Sequence, residues 1–281
     1  MSDLLELSLS AAASGCIYAL VALAYLLMIR PTGIINFAVG EWAMVGAFGG
    51  FLLLSKLEWP YPLGMAALLG FMLLVGWATE RIAVRPLVER GAPLLAPILA
   101  LLGMLVVFRE SISLGFGPDP HQVPEAVGFE HLKYFTIGAT LAVFAAVWLF
   151  FETTLWGKSF EAVSLNRRAA ALMGIDLSRV TAVSFAGGAA AAGLAGLLVA
   201  PNTSAHYLMG VPLAIQGFTA LVIGGVGRVE GALLGGMLVA FAEQLTVRYA
   251  PLPSGYAQGV PLLLLMLFLL VRPTGLLRPR A

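Results

Sequence analysis

Residues 8–37 read SLSAAASGCIYALVALAYLLMIRPTGIINF. The 21 residues from Ser8 to Met28 carry no charge. That is about the length a helix needs to cross the hydrocarbon of a bilayer. Arg30 ends the run, and Pro31 and Gly33 follow. Proline has no N–H to continue a helix and crowds its preceding turn, while glycine lets the backbone reverse. The same Arg-Pro-Thr-Gly recurs at 272–275, again behind a long apolar run. The tetrapeptide therefore reads as a helix stop at a membrane face. A sharper reading makes the two copies traces of an ancestral repeat of the kind found in transporters.

Composition extends this reading to the whole chain. Of 281 residues, 60% are hydrophobic and 11% charged, and the mean hydropathy is +0.94. Soluble domains carry about a quarter charged residues, so this chain cannot cover a water-exposed surface. It reads as an all-α integral membrane protein, one membrane domain over 1–281. The net charge of +1 gives no basic field for nucleic acid. The single cysteine, Cys16, allows no internal disulfide and lies in an apolar run, where it reads as a packing residue. The acidic start, MSDLLELSLS, lacks the positive region of a signal peptide, so the first run reads as a retained span.

Nine apolar stretches qualify as candidate spans: 8–28, 38–55, 62–79, 94–115, 134–151, 180–200, 213–227, 231–249 and 256–271. The seventh is short and glycine-rich and reads as a segment that enters and turns back. The second carries Glu41. Eight or nine crossings are expected. With Arg30 inside, the inner connections hold Arg30, Arg81, Arg85, Arg90, Lys158, Arg167, Arg168, Arg179, Arg228, Arg272, Arg278 and Arg280. The outer ones hold Lys56, Lys133 and Arg248. Cytoplasmic loops carry the excess of Lys and Arg, so the N-terminus is expected outside and the C-terminus inside.

Small residues mark helix seams. Residues 186–196 read AGGAAAAGLAG, and Gly46/Gly50 and Gly231/Gly235 form GxxxG pairs. Helices in lipid associate by close backbone approach, which needs such residues. The outer connection 116–133 holds His121 and His131 ten apart, a spacing that reads as loop residues rather than a metal site. Gly157-Lys158-Ser159 lacks the P-loop glycine, because Glu152 stands there. Gly225 to Gly231 misses the dinucleotide pattern, with Glu230 at its last glycine position. There is no HExxH, and Asn202-Thr203-Ser204 is a chance-frequency match to a glycosylation acceptor. These absences point away from enzymes and towards transport.

The longest inner connection is 152–179, ETTLWGKSFEAVSLNRRAAALMGIDLSR. Its alanines, leucines and arginines predict a single helix over Ser159–Met173. Phe160, Val163, Leu165, Ala169 and Leu172 share part of one face, Gly174 suits the C-terminal stop, and Asp176 or Ser178 suits the next helix's cap. Such a helix either lies among headgroups or inserts into a groove on a soluble partner.

The run NRRAAALMGIDLSRVTAVSFAGGAAAAGLAGLL at 166–198 resembles the cytoplasmic loop and following helix of ABC importer permeases. Together with GCIYALVALAYLLMIRPTGIINFAVGEWAMVGAF at 15–48 and GFTALVIGGVGRVEGALLGGMLVAFAE at 217–243, it resembles the shorter permease of branched-chain amino acid importers. The resemblance implies a translocation subunit of a bacterial inner membrane importer. It implies a second, related permease, two cytoplasmic ABC ATPase subunits that supply the missing nucleotide site, and an extracytoplasmic substrate-binding protein. No cofactor is implied. The coupling residues would be Glu161, Asn166, Arg167, Arg168, Ala169, Ala170, Met173 and Gly174. Relatives commonly show Arg-Glu-Ala-Ala where this chain has Arg167-Arg168-Ala169-Ala170, so a contact of that carboxylate does not carry over.

Intramembrane charges tend to mark function or pairing, and the candidate spans hold Glu41, Arg109, Glu110 and Glu243. Arg109 and Glu110 are adjacent and do not face each other on a helix. An amino acid needs carboxylates or carbonyls, donors and apolar walls along its path. Asn36, Glu41, Gln216, Thr219, Glu243 and Gln258 are the candidate polar contacts. Asn36 and Gly40 suggest an unwound start to the second span, flanking the path with 217–227. Two alternatives stay open: an ion-gradient-driven carrier, and a permease of the same family for urea, other amides or sugars.

Overall fold

The computed structural model describes residues 2–126, 128, 131–249, 259–272 and 275–277. Gln258 lies outside them. The helices are α1 (Ser2–Thr32), α2 (Val39–Gly50), α3 (Tyr61–Thr79), α4 (Arg85–Glu89), α5 (Leu95–Phe116) and α6 (Leu132–Thr153). They continue with α7 (Leu155–Leu165), α8 (Arg167–Leu172), α9 (Leu177–Thr203), α10 (Gly210–Gly224), α11 (Val229–Tyr249) and α12 (Val260–Val271). Among the described residues the one extended pairing is the isolated bridge between His121 and Ala205.

Each of the nine apolar stretches holds a helix. Among the described residues, five helical stretches are long and apolar enough to cross a membrane, or six if α10 and α11 form one broken span. The re-entrant expectation falls on that pair, whose axes bend by 120°. α2 is lengthened by a π-helical continuation over Phe51–Lys56, and α3 by another over Glu80–Val84.

The core forms around α9, because its small residues let three other helices approach at backbone distance. A Cβ added to Gly196 would overlap the carbonyl of Ala43 on α2, and one on Gly46 would overlap the backbone of Gly193. On α3, Gly76 lies against the backbone of Phe185 and Ala186. α1 meets α9 where Gly188 faces the Ala24 carbonyl. α11 lies along α1, with Gly236 against Gly15 and Ala19. The GxxxG glycines of α11 serve the bent pair: Gly231 abuts Gly224, and Gly235 abuts Ala220. α1 and α9 are thus largely buried, whereas α3, α5 and α6 present leucines and tryptophans outward.

Both Arg-Pro-Thr-Gly copies end a helix, with Gly33 at φ +70° and Gly275 at φ +77°. α1 runs through Pro31 to Thr32 before stopping, and the Gly33 N–H still donates to the Ile29 carbonyl at 2.8 Å. α12 ends one residue before its copy. Beyond Gly275, the N–H groups of Leu276 and Leu277 donate to the carbonyls of Ile223 and Gly224 at 2.8 and 3.2 Å. These close the C-terminus of α10, where carbonyls lack intrahelical partners.

Candidate functional site

α1 places a polar stripe in an apolar helix. Ser10, Ser14 and Tyr18 recur at intervals of four and lie on one face. They line a cavity of about 430 Å³ with Lys133 and Thr136 of α6, Asn202 and Thr203 of α9, His206, and Gln216 of α10. Ala13, Ile17, Val199, Met209, Pro212 and Leu213 supply its apolar wall. Such a mix of apolar wall and few polar groups suits a small ligand, and the volume lies in the usual range. At one end Tyr18 Oη donates to Glu243 Oε2 at 2.7 Å, and Gln216 Nε2 donates to Glu243 Oε1 at 3.4 Å.

Of the polar residues expected on a substrate path, Gln216 lines this cavity, and Glu243 bonds to it from behind the lining. Asn36, Glu41 and Thr219 do not line this cavity. Asn36 is fully buried in the link 33–38, where its Oδ1 accepts the Ala38 N–H at 2.9 Å. That link is unwound, as Asn36 and Gly40 suggested, but Asn36 spends its oxygen on the backbone. Thr219 is fully buried against neighbouring helices. Tyr18 was missed in the sequence, although the spacing of Ser10, Ser14 and Tyr18 was a usable signal.

Glu41 belongs to a second constellation. Its Oε1 accepts from Nη2 of Arg109 on α5. Its Oε2 faces Gly210, and a Cβ built there would stand 2.6 Å away. The carboxylate therefore rests on the N-terminal end of α10, where the helix dipole favours negative charge. Glu110, next to Arg109, points away and is exposed, so the two do not pair.

Towards the other end of α1, the connection 152–179 corrects one expectation. The single helix over Ser159–Met173 is two helices, α7 and α8, separated at Asn166. Asn166 is extended, at φ −152° and ψ 99°, and its Oδ1 accepts the Ala169 N–H at 3.0 Å. An asparagine side chain competes with the helix in this way and prefers to cap it. α7 also begins earlier than expected, because Thr154 caps it through the Gly157 N–H at 2.9 Å. Gly174, at φ +85°, ends α8, and Asp176 caps α9 through the N–H groups of Ser178 and Arg179.

This break divides the apolar face. Phe160, Val163 and Ala170 are buried, and Phe160 packs edge-on against Phe151 of α6. Leu165, Leu172 and Met173 are 75, 85 and 83% exposed. Arg167 Nη1 donates to the carbonyls of Pro31 and Thr32 at 3.4 and 3.5 Å. Burial lowers the pKa of its guanidinium. Arg168 and Ala169 are exposed, and Glu161 pairs with Lys158 at 3.5 Å. Between α7 and the α10–α11 turn lies a cleft of about 330 Å³, lined by Arg30, Lys158, Glu161, Arg228 and Glu230 among others.

Apolar helices around small-residue seams, with polar side chains gathered in a cavity between them, fit a multi-pass membrane protein of the transport class. The family described as branched-chain amino acid transport system, permease component, matches residues 7–269, and the chain belongs to it. It is 30% identical to the high-affinity branched-chain amino acid transport system permease protein LivH of Escherichia coli (strain K12), over 94% of this chain and 92% of that one. Identity and coverage are the same for the corresponding BraD protein of Pseudomonas aeruginosa. The ribose import permease protein RbsC of Haemophilus influenzae is 26% identical, over 79% of this chain and 72% of its own. Among solved structures, PsaBC from Streptococcus pneumoniae in complex with Fab superposes with a TM-score of 0.55 at 11% identity, over 94% of this chain and 91% of that one. That likeness concerns the fold. The named relatives are permeases rather than enzymes.

Proposed function

We propose that this chain is the translocation subunit of an ATP-driven importer of branched-chain amino acids. In this reading the N-terminus faces outward and the C-terminus the cytoplasm. A second related permease completes the path, two cytoplasmic ATPases dock on α7–α8, and a binding protein delivers substrate from outside. The observation that carries it is the hold of Arg167 on the inner end of α1. α1 has the cavity at its other end, through Ser10, Ser14 and Tyr18. Exposed Leu165, Leu172 and Met173 give a soluble partner an apolar surface to grip. A displacement of α7–α8 then reaches the cavity along one helix, and ATP binding biases the permease between inward-open and outward-open states. Asn36, Glu41 and Thr219 remain path candidates only for another conformation.

The test is co-purification with the ATPases and ATP-dependent uptake of leucine, isoleucine and valine in proteoliposomes. Replacing Leu172 and Met173 together by Asp should release the ATPases and reduce uptake at least about tenfold, the loss expected of an apolar anchor. Uptake that persists without ATP and collapses with an ion gradient would instead identify a secondary carrier. The likeness to ribose permeases makes ribose the control substrate, and ATP-driven ribose uptake without leucine uptake would transfer the reading to sugars.

A further inference from the structure

We infer that Tyr18, Gln216 and Glu243 form an ammonium subsite at one end of the cavity. This rests on the reading of that cavity as the substrate's path. Three helices supply one residue each, so the group is a product of tertiary packing: α1 gives Tyr18, α10 gives Gln216, α11 gives Glu243. Both oxygens of Glu243 are held, one by the tyrosine hydroxyl and one by the glutamine amide. Both donors are neutral. A carboxylate inside an apolar bundle is expensive unless a positive charge meets it, and these partners supply none.

The geometry presents that charge to the cavity through its lining. Tyr18 and Gln216 face the cavity, and Glu243 stands directly behind them. Because the Gln216 Nε2 is committed to Glu243, its Oε1 is left as an acceptor. The Tyr18 oxygen, having donated its proton to Glu243, can also accept, and Gln216 already lies within hydrogen-bonding reach of it. Two neutral acceptors backed by one negative charge suit a small cation carrying N–H donors. An α-amino acid satisfies the rest of the cavity as well. Its apolar side chain matches Ile17, Met209 and Leu213, and its carboxylate matches Lys133 and Asn202. A sugar offers no positive charge to this end. Glu243 is therefore a positioning residue, acting on the substrate's ammonium through Tyr18 and Gln216 and through its field.

The experiment uses the assembled transporter with its ATPases and binding protein in proteoliposomes. Leucine uptake and ATP hydrolysis are measured in the same samples for the wild type, Glu243→Gln and Tyr18→Phe. Losing a charge-assisted contact predicts at least about a tenfold fall in leucine uptake for Glu243→Gln. Stimulation of ATP hydrolysis by the binding protein should stay within about twofold, because α7–α8 is untouched. Tyr18→Phe removes one hydroxyl and keeps the ring, so it reads the same site if Glu243→Gln fails to assemble. Its leucine uptake should fall several-fold at unchanged ATP turnover. Uptake within about twofold of wild type in both variants overturns the subsite. So does a parallel loss of uptake and ATP hydrolysis, which marks packing or coupling. So does wild-type uptake that fails when sodium is replaced by choline, which assigns the carboxylate to a metal cation. A wild type that hydrolyses ATP but imports no leucine overturns the transport reading itself, and is recognised before any variant is compared.

Discussion

The ion pair between Glu41 and Arg109 offers a measurement of how α5 is tied to the bundle. Glu41 is 1% exposed and Arg109 24%. Removing one partner of a buried pair costs about 3–5 kcal/mol, because the other charge is left without compensation. Glu41→Gln keeps the shape of the side chain and removes its charge, and Arg109→Met keeps the length and removes the cation. Each single variant should therefore lose about 3–5 kcal/mol in denaturant titrations in detergent. The double variant leaves no orphan charge, so it should lose less than the sum of the singles by at least about 2 kcal/mol. The proximity of Oε2 to Gly210 adds an asymmetry. Part of the glutamate's compensation comes from the α10 dipole, worth roughly 0.3–1 kcal/mol. That remainder survives when Arg109 is removed, and it offsets part of the cost of orphaning the more deeply buried of the two charges. Additive single losses, or single losses below about 1 kcal/mol, would refute the argument that this pair is a buried electrostatic tether.

Further outcomes follow from the helix contacts. Gly196→Val forces a side chain into the Ala43 carbonyl and should cost at least about 1–3 kcal/mol by overpacking, seen as a lower unfolding temperature in detergent. Gly138→Ala meets nothing within 4 Å on α6 and should be neutral or stabilising by up to about 1 kcal/mol, since alanine is the better helix former. Asn166→Ala removes the α8 cap at about 1 kcal/mol. Hydrogen exchange at the Ala169 amide should then accelerate about fivefold, without a change at α9 amides.

The sequence disclosed the helices because hydrophobicity is a local property. An uncharged run such as 8–28 must find an internal hydrogen-bonding scheme in lipid whatever its neighbours are. The seams were legible for the same reason, since Gly46, Gly193 and Gly196 can only be useful where another backbone comes close. Pairing was not legible. Arg109 is 68 positions from Glu41, and nothing at either site names the other until α2 and α5 are placed side by side. Tyr18 was hidden differently. It is 225 positions from Glu243, and in a span rich in leucine an aromatic reads as packing. Only the serines at intervals of four reveal a polar face. The break at Asn166 was misread because the surrounding Ala, Leu and Arg favour helix in sum, whereas one asparagine oxygen decides the local outcome by capping the Ala169 N–H.

The recurrence of Arg-Pro-Thr-Gly follows from conformation and does not require that the two copies do the same work. Each supplies a glycine in the left-handed region, Gly33 directly after α1 and Gly275 four residues beyond the end of α12, a backbone state that costs most other residues and glycine little. What differs is which polar groups the stop leaves available. At the first copy the freed groups are carbonyls, those of Pro31 and Thr32, and Arg167 takes them. At the second the available groups are N–H donors, those of Leu276 and Leu277, and the end of α10 takes them. The two stops therefore fasten unlike elements, the α7–α8 connection in one case and the bent α10–α11 pair in the other. The helices they end are unlike too, since α1 is buried along most of its length and α12 is largely exposed. A shared need for a glycine that can turn the chain near a helix end accounts for Gly33 and Gly275. A shared ancestry of the two halves would have to be argued from elements other than these.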